Sequence, residues 1–263
     1  MLRIGCVKYF NAHPLIWGWD GGHVDFDHPS ALCDKLAAGK LDVALVSSFE
    51  FLRNPIYRIV DDVSISSNGP VYSVVLAHRG ELSDIEEIEL DPASQTSANL
   101  LRSLLPELGL HPRLIRKSDG SSSAKDHSAQ LLIGDQAIRF RQEYAREFSF
   151  WDLGDQWKKR FNIPFVYALW LVRPEVHSPQ QIAERLRNLR DANLSRLDRL
   201  IENAVVASND PEWQLTREFL SNYYQKHLRF GFGEKEREGI LIFADLCIKH
   251  GLLPKGDLAL SVV

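Results

Sequence analysis

Residues 30–48 read SALCDKLAAGKLDVALVSS, a helix that runs straight into a buried strand. SALCDKLAAGK (30–40) is the helical part, with Ser30 a candidate N-cap and Gly39 a candidate stop. LDVALVSS (41–48) is the strand. Upstream, LRIGCV (2–7) reads as another buried strand, and HVDFD (23–27) alternates polar and apolar residues. This β-α-β order predicts a parallel sheet with a right-handed crossover. VYSVVLAH (71–78) reads as a further strand, introduced by the turn residues of SSNGP.

A similar series then begins again. IEEIELD (85–91) reads as a strand and SQTSANLLRSLLPELG (94–109) as a helix, with Leu100, Leu101, Leu104 and Leu105 on its inner side. PRLIRKS (112–118) and AQLLIGD (129–135) read as short strands, QAIRFRQEY (136–144) as a helix, and FVYALWLVR (165–173) as an apolar, aromatic strand after Pro164. From there the pattern is mostly helical. Ile182, Leu186, Leu189, Leu197 and Ile201 fall roughly on one face, and further helices are expected near Trp213–Tyr224 and Glu234–His250. Two α/β series imply two lobes. The strands near 71–78 and 165–173 are the candidate crossings, with a cleft between the lobes. Ligands of open α/β sheets bind beyond the C-terminal strand ends. The polar segments that follow strands would therefore face the cleft: Asn11, Ser47 and Ser48, Ser94–Ser97, and Asp135.

The chain has 263 residues, 44% of them apolar and 25% charged, which fits a packed domain of one large or two small lobes. A formal net charge of -4 disfavours a general nucleic-acid binder. Cys6, Cys33 and Cys247 are too few and too scattered for a disulfide framework or a Cys-x-x-Cys metal pair, which favours a reducing compartment. No signal-peptide pattern opens the chain and no apolar run is long enough to span a bilayer. The expected setting is the cytoplasm, with a mature secreted chain as the alternative.

Each candidate site residue also has a plain structural reading. In KYFNAHPL (8–15), Asn11 either bonds its own backbone in a turn or reaches a ligand. Ser47 and Ser48 either cap a helix or offer an anion site, and the two are compatible. In SNGPVYS (67–73) the turn accounts for Asn68, Gly69 and Pro70 but not for Ser73, a serine in an apolar strand whose hydroxyl could enter the cleft. Thr96 and Ser97 cap a helix or form an anion pocket with its N–H groups. Asp135 is an N-cap or a contact to a ligand hydroxyl. His23, Asp25 and Asp27 share a strand face, which reads as a solvated face in preference to a row of metal ligands. The Arg-rich stretch 185–199 reads as a solvated amphipathic helix. No His-Glu-x-x-His, P-loop, G-x-G-x-x-G or G-x-S-x-G motif is present.

Taken in order, RIGCVKYFNAHPL, GKLDVALVSSFEF, GPVYSVVL, SQTSANLL, LLIGDQAI and WDLGDQWKKRFNIPFVYALW resemble the chorismate dehydratases of the futalosine route to menaquinone. Weaker similarity continues through YYQKHLRFGFGEKEREGILIFADLC, so the resemblance covers nearly the whole chain. It implies an α/β fold of the two-lobed type II periplasmic binding protein kind, with two crossing strands and a helical C-terminal part. Lobe 1 would comprise 1–76 and 168–263, and lobe 2 would comprise 77–167. It implies a lyase that removes water from chorismate to give 3-[(1-carboxyvinyl)oxy]benzoate. Asn11 and Ser73 would be catalytic. Ser47, Ser48, Gly69, Thr96, Ser97 and Asp135 would bind substrate, with Gly134 and Asp135 matching the family's Gly-Asp turn. Gln95 stands where many relatives carry Arg, and His13 occupies a variable position. The partner would be a small dicarboxylate, not nucleic acid or membrane.

The chemistry needs neither redox cofactor nor metal in principle, because aromatisation drives it. An amide is no base at neutral pH, so Asn11 is an orienter or donor. With Glu50 expected to face away, the side-chain carboxylate of chorismate itself is the candidate proton acceptor. The alternative function is a non-catalytic small-anion binding protein or sensor of the same fold, since fold alone does not decide function. The dihydroxynaphthoate synthase of the same pathway shares the lobes but differs after the first strand, where NAHPL favours the dehydratase.

Overall fold

A computed structural model describes residues 2–91, 93, 95–116, 128–207 and 215–263. Ser94, Lys117, Ser118 and Trp213, which the sequence placed in or beside elements, lie outside the described residues. The first sheet has the order β2-β1-β3-β10-β4. Its strands are β1 (Ile4–Val7), β2 (Val24–Asp27), β3 (Val43–Ser47), β4 (Arg58–Ser67) and β10 (Phe165–Val172). The second has the order β7-β6-β8-β5-β9, from β5 (Val74–His78), β6 (Glu87–Leu90), β7 (Arg113–Arg116), β8 (Ala129–Ile133) and β9 (Ser149–Asp152). In each sheet three strands run parallel: β1 with β2 and β3, and β6 with β7 and β8. The remaining pairings are antiparallel: β10 with β3 and β4, and β5 with β8 and β9.

Every residue of β1, β3, β5 and β8 is buried. That is why they read as unbroken apolar runs: helices cover both faces and leave no solvent side for alternation to mark. The helices after strands are α1 (His13–Ile16), α2 (Pro29–Ala37), α3 (Ser48–Arg53), α4 (Gln95–Glu107), α5 (Gly134–Glu143) and α6 (Leu153–Phe161). The C-terminal part adds α7 (Pro179–Ser195), α8 (Leu197–Ala207), α9 (Arg217–Asn222) and α10 (Glu234–Lys249). Buried apolar contact is continuous from one sheet to the other. Trp157 of α6, fully buried, packs edge-on against Phe165 of β10 and Phe243 of α10 and donates its Nε1–H to the Pro164 carbonyl at 3.2 Å.

The chain passes to the second sheet through residues 68–73 and returns through α6 and residues 162–164. Both passages adjoin the strands expected to make them. The lobe boundaries shift accordingly. β5 lies wholly in the second sheet, so 74–76 do not belong with the first, and β10 lies wholly in the first, so 165–167 do not belong with the second.

Four local expectations are corrected. Ser30 is not the N-cap of α2: His28 holds that place and Pro29 is at the first helical position, where its lack of an N–H costs nothing. The strand expected at 71–78 starts only at Val74, because Tyr72 has φ +68 and bends the chain. The face from Ile182 to Ile201 is split between α7 and α8, with Arg196 between them. The Arg-rich stretch is not wholly solvated. Arg190 is 6% exposed and binds the backbone carbonyls of Asp62 and Phe230, while buried Asn193 donates to Pro14 O and Trp17 O.

Candidate active site

Between the two sheets lies a hollow whose empty space, open solvent included, is about 550 Å³. From the first sheet and its loops come Asn11, Ser47 and Ile65. From the second and its helices come Ser97, Thr96 and Ile133. Ser73 comes from the passage between them. Tyr9, Gln95, Gly134 and Tyr167 also line it. Among the described residues that line it, none carries a carboxylate, an imidazole, an amine or a guanidinium.

Strand-to-helix turns place the hydroxyls. β3 ends at Ser47 and α3 starts at Ser48, facing the first turn of α4. Thr96 Oγ1 sits 2.5 Å from Ser47 Oγ and 3.2 Å from Ser48 Oγ, and it accepts the Phe49 N–H at 3.2 Å. A residue of the second lobe thus satisfies an orphan donor at a helix start of the first. Ser48 donates to Val166 O at 2.7 Å and does not line the hollow. Gln95 Oε1 is buried with no hydrogen-bond partner among the described residues, and Gln95 lines the same wall.

Asn11 lies in the single turn Phe10–Ala12 that follows β1, so the chain leaves the sheet with the amide over the hollow. Its Oδ1 is also buried and unpartnered. Ser73 Oγ accepts a hydrogen bond from Tyr223 Oη at 2.6 Å, and the Ser73 carbonyl accepts the Gly134 N–H at 2.8 Å. Asn11 and Ser73, paired only by type in the sequence, therefore share one cavity.

Asp135 stands in the first turn of α5 but does not line the hollow. It accepts the Phe10 N–H at 3.1 Å, which joins the second lobe to the loop that carries Asn11. Burial pushes its carboxyl up to about 7, offset in part by that hydrogen bond. Gly134 has φ +59, and a Cβ there would lie 2.9 Å from the Tyr9 ring, so both backbone and space require glycine. Gly69, φ +131, serves the passage and does not line the hollow; its carbonyl accepts from Ser67 Oγ at 3.0 Å. Ser48, Gly69 and Asp135, expected to bind substrate, make these contacts within the protein and are not among the residues that line the hollow.

Two residues that sequence reasoning passed over carry the site. Asp152, the N-cap of α6, accepts from Val71 N and Tyr72 N in the passage and from Gly154 N and Asp155 N in the helix. Tyr223 holds Ser73 from the C-terminal part. Asp before a helix start was a readable cap signal in WDLGD; Tyr223 had no signal that separated it from a core aromatic. Glu50 faces away: it is 1% exposed, paired with Arg53 at 2.6 Å and within 3.4 Å of the Tyr57 hydroxyl. His13 does not line the hollow, and burial pushes its imidazole down to about 4. Asp25 and Asp27 pair with Lys35 at 2.8 and 2.9 Å.

Two α/β lobes around a hydroxyl-rich hollow define a periplasmic-binding-protein-like fold. Solved structures agree on that fold. A protein of Archaeoglobus fulgidus matches with TM-score 0.74 at 16% identity, over 96% of this chain and 98% of that one. The alkanesulfonate-binding protein of Xanthomonas axonopodis pv. citri, bound to MOPS, matches with TM-score 0.68 at 17% identity, over 100% and 97%. Residues 2–249 match the family described as menaquinone biosynthesis, and the chain belongs to that family. A chorismate dehydratase of Thermus thermophilus is 30% identical over 262 residues, 92% of this chain and 93% of that protein.

Proposed function

We propose that this chain is a chorismate dehydratase acting in menaquinone biosynthesis. The observation that carries the reading is the convergence of Asn11, Ser47, Ser73, Thr96 and Ser97 on one hollow that no protein base lines among the described residues. Family membership and the Thermus thermophilus relative support the choice of substrate. The ring hydroxyl and a neighbouring ring proton leave. The C–H pair becomes the new ring double bond, the C–O bond breaks, and the ring proton passes on to the expelled hydroxide, which leaves as water. The substrate's own side-chain carboxylate accepts the ring proton. Hydroxyls and amides hold the two carboxylates, each contact contributing roughly 0.5–2 kcal/mol. Fixed geometry supplies much of the acceleration.

This reading places the enzyme in the cytoplasm, a setting supported by three buried, unpaired cysteines. No helix among the described residues is long and apolar enough to cross a membrane. The test is turnover of chorismate by the wild type and three variants. Asn11→Ala and Ser73→Ala each lower kcat by roughly 100-fold or more in folded protein, whereas Glu50→Gln leaves it within about twofold. Normal rates in both site variants would remove those residues from the chemistry. Loss of turnover in Glu50→Gln with binding intact would assign the proton to the protein.

A further inference from the structure

Tyr223 opens the π-turn Tyr223–His227 after α9, an irregularity that recurs at functional sites. It is fully buried, with its ring stacked on Phe219 at 5.7 Å and tilted against Tyr224 at 5.8 Å. Its hydroxyl donates to Ser73 Oγ at 2.6 Å. Burial pushes the phenol up, so it keeps its proton and keeps donating.

A hydroxyl has one proton to give and two lone pairs. With Tyr223 donating to Ser73 Oγ, the serine's own proton points elsewhere, and Ser73 lines the hollow. Asn11 lines the same hollow, and its Oδ1, buried and without a partner among the described residues, is an acceptor beside Ser73. We propose that Tyr223 is a positioning residue that, by donating to Ser73 Oγ, sets Ser73 as a donor beside the Asn11 Oδ1 acceptor for the hydroxyl of the ligand. The inference rests on the dehydratase reading, whose substrate carries one ring hydroxyl and whose product carries none. The substrate O–H donates to Asn11 Oδ1 and its oxygen accepts from Ser73. As the C–O bond breaks, the Ser73 hydrogen bond meets the growing negative charge.

The experiment compares wild type, Tyr223→Phe, Ser73→Ala and the double variant with chorismate as substrate and the aromatic product as a binding probe. Tyr223→Phe lowers kcat by roughly 10- to 100-fold with KM within about twofold, and the product binds as to wild type. Adding Tyr223→Phe to Ser73→Ala costs little more, because the two act through one hydrogen bond. A merely structural tyrosine would instead lower the melting temperature, weaken the product equally and add its full effect in the Ser73→Ala background; any of these overturns the proposal, as does wild-type turnover. Should Tyr223→Phe not fold, Ser73→Ala decides alone: it must lose turnover and keep the product, and equal loss of both ligands overturns the assignment. A wild type that does not convert chorismate sinks the dehydratase reading. A converting wild type with an indifferent Tyr223→Phe sinks only this inference.

Discussion

Asp135 shows how one side chain couples the site to pH. Its carboxyl lies at about 7, raised from 3.8 mainly by burial. Below about 4 it is protonated whether the chain is folded or not. Between about 4 and 7 the unfolded chain ionises while the folded one keeps its proton, so stability falls as pH rises through that window and levels off above it. Asp135→Asn lacks this loss and keeps an acceptor for the Phe10 N–H. Between pH 5 and pH 8 the variant should gain about 2–3 kcal/mol on wild type in urea unfolding. Parallel pH profiles would show that Asp135 is solvated. At this scale the sequence pointed to residues that line the hollow where chemistry and turn position coincide, as at Asn11, Ser47 and Thr96. It was silent on Tyr223, because nothing in YYQKH marks which ring will carry a bonded hydroxyl. It did not announce the contacts within the protein that Ser48 makes to Val166 O and Asp135 to the Phe10 N–H.

Among the elements, α6 and the passage 68–73 depend on one carboxylate. Four N–H groups, two in each, converge on Asp152. Asp152→Ala removes the helix cap and leaves buried donors unpaired, at a cost of about 3 kcal/mol. It also frees the segment that presents Ser73, so turnover falls with stability. Asp152→Asn keeps an acceptor oxygen and should lose less of both. Thermal or urea unfolding of the pair, with chorismate turnover, checks this; equal behaviour of the two variants would mean that the acceptor is not what holds the passage. The parallel strands were readable because burial on both faces writes continuous apolar runs. β4, RIVDDVSISS, was not. Asp62 sits at φ +58, the pairing with β10 shifts register twice, and Ser64 and Ser67 donate to the carbonyls of Gly231 and Gly69. These breaks erase the alternation that marks a strand.

For the whole molecule, a few polar contacts around the hollow join the two lobes beside their continuous apolar contact. Thr96 carries three of them, to Ser47, Ser48 and Phe49 N. Thr96→Val keeps the shape and removes all three, which should cost about 1–3 kcal/mol in urea unfolding and weaken chorismate binding about tenfold or more. Unchanged affinity would place the ligand elsewhere. The two-lobe architecture was visible in the repeated α/β series, but the lobe boundaries were not, since a crossing strand and a strand beside a crossing have the same composition. The most direct test of the dehydratase assignment is mass spectrometry of the purified chain incubated with chorismate. The account predicts a time-dependent aromatic product lighter than chorismate by one water; a stable complex with unchanged chorismate would contradict it and leave a binding protein in its place.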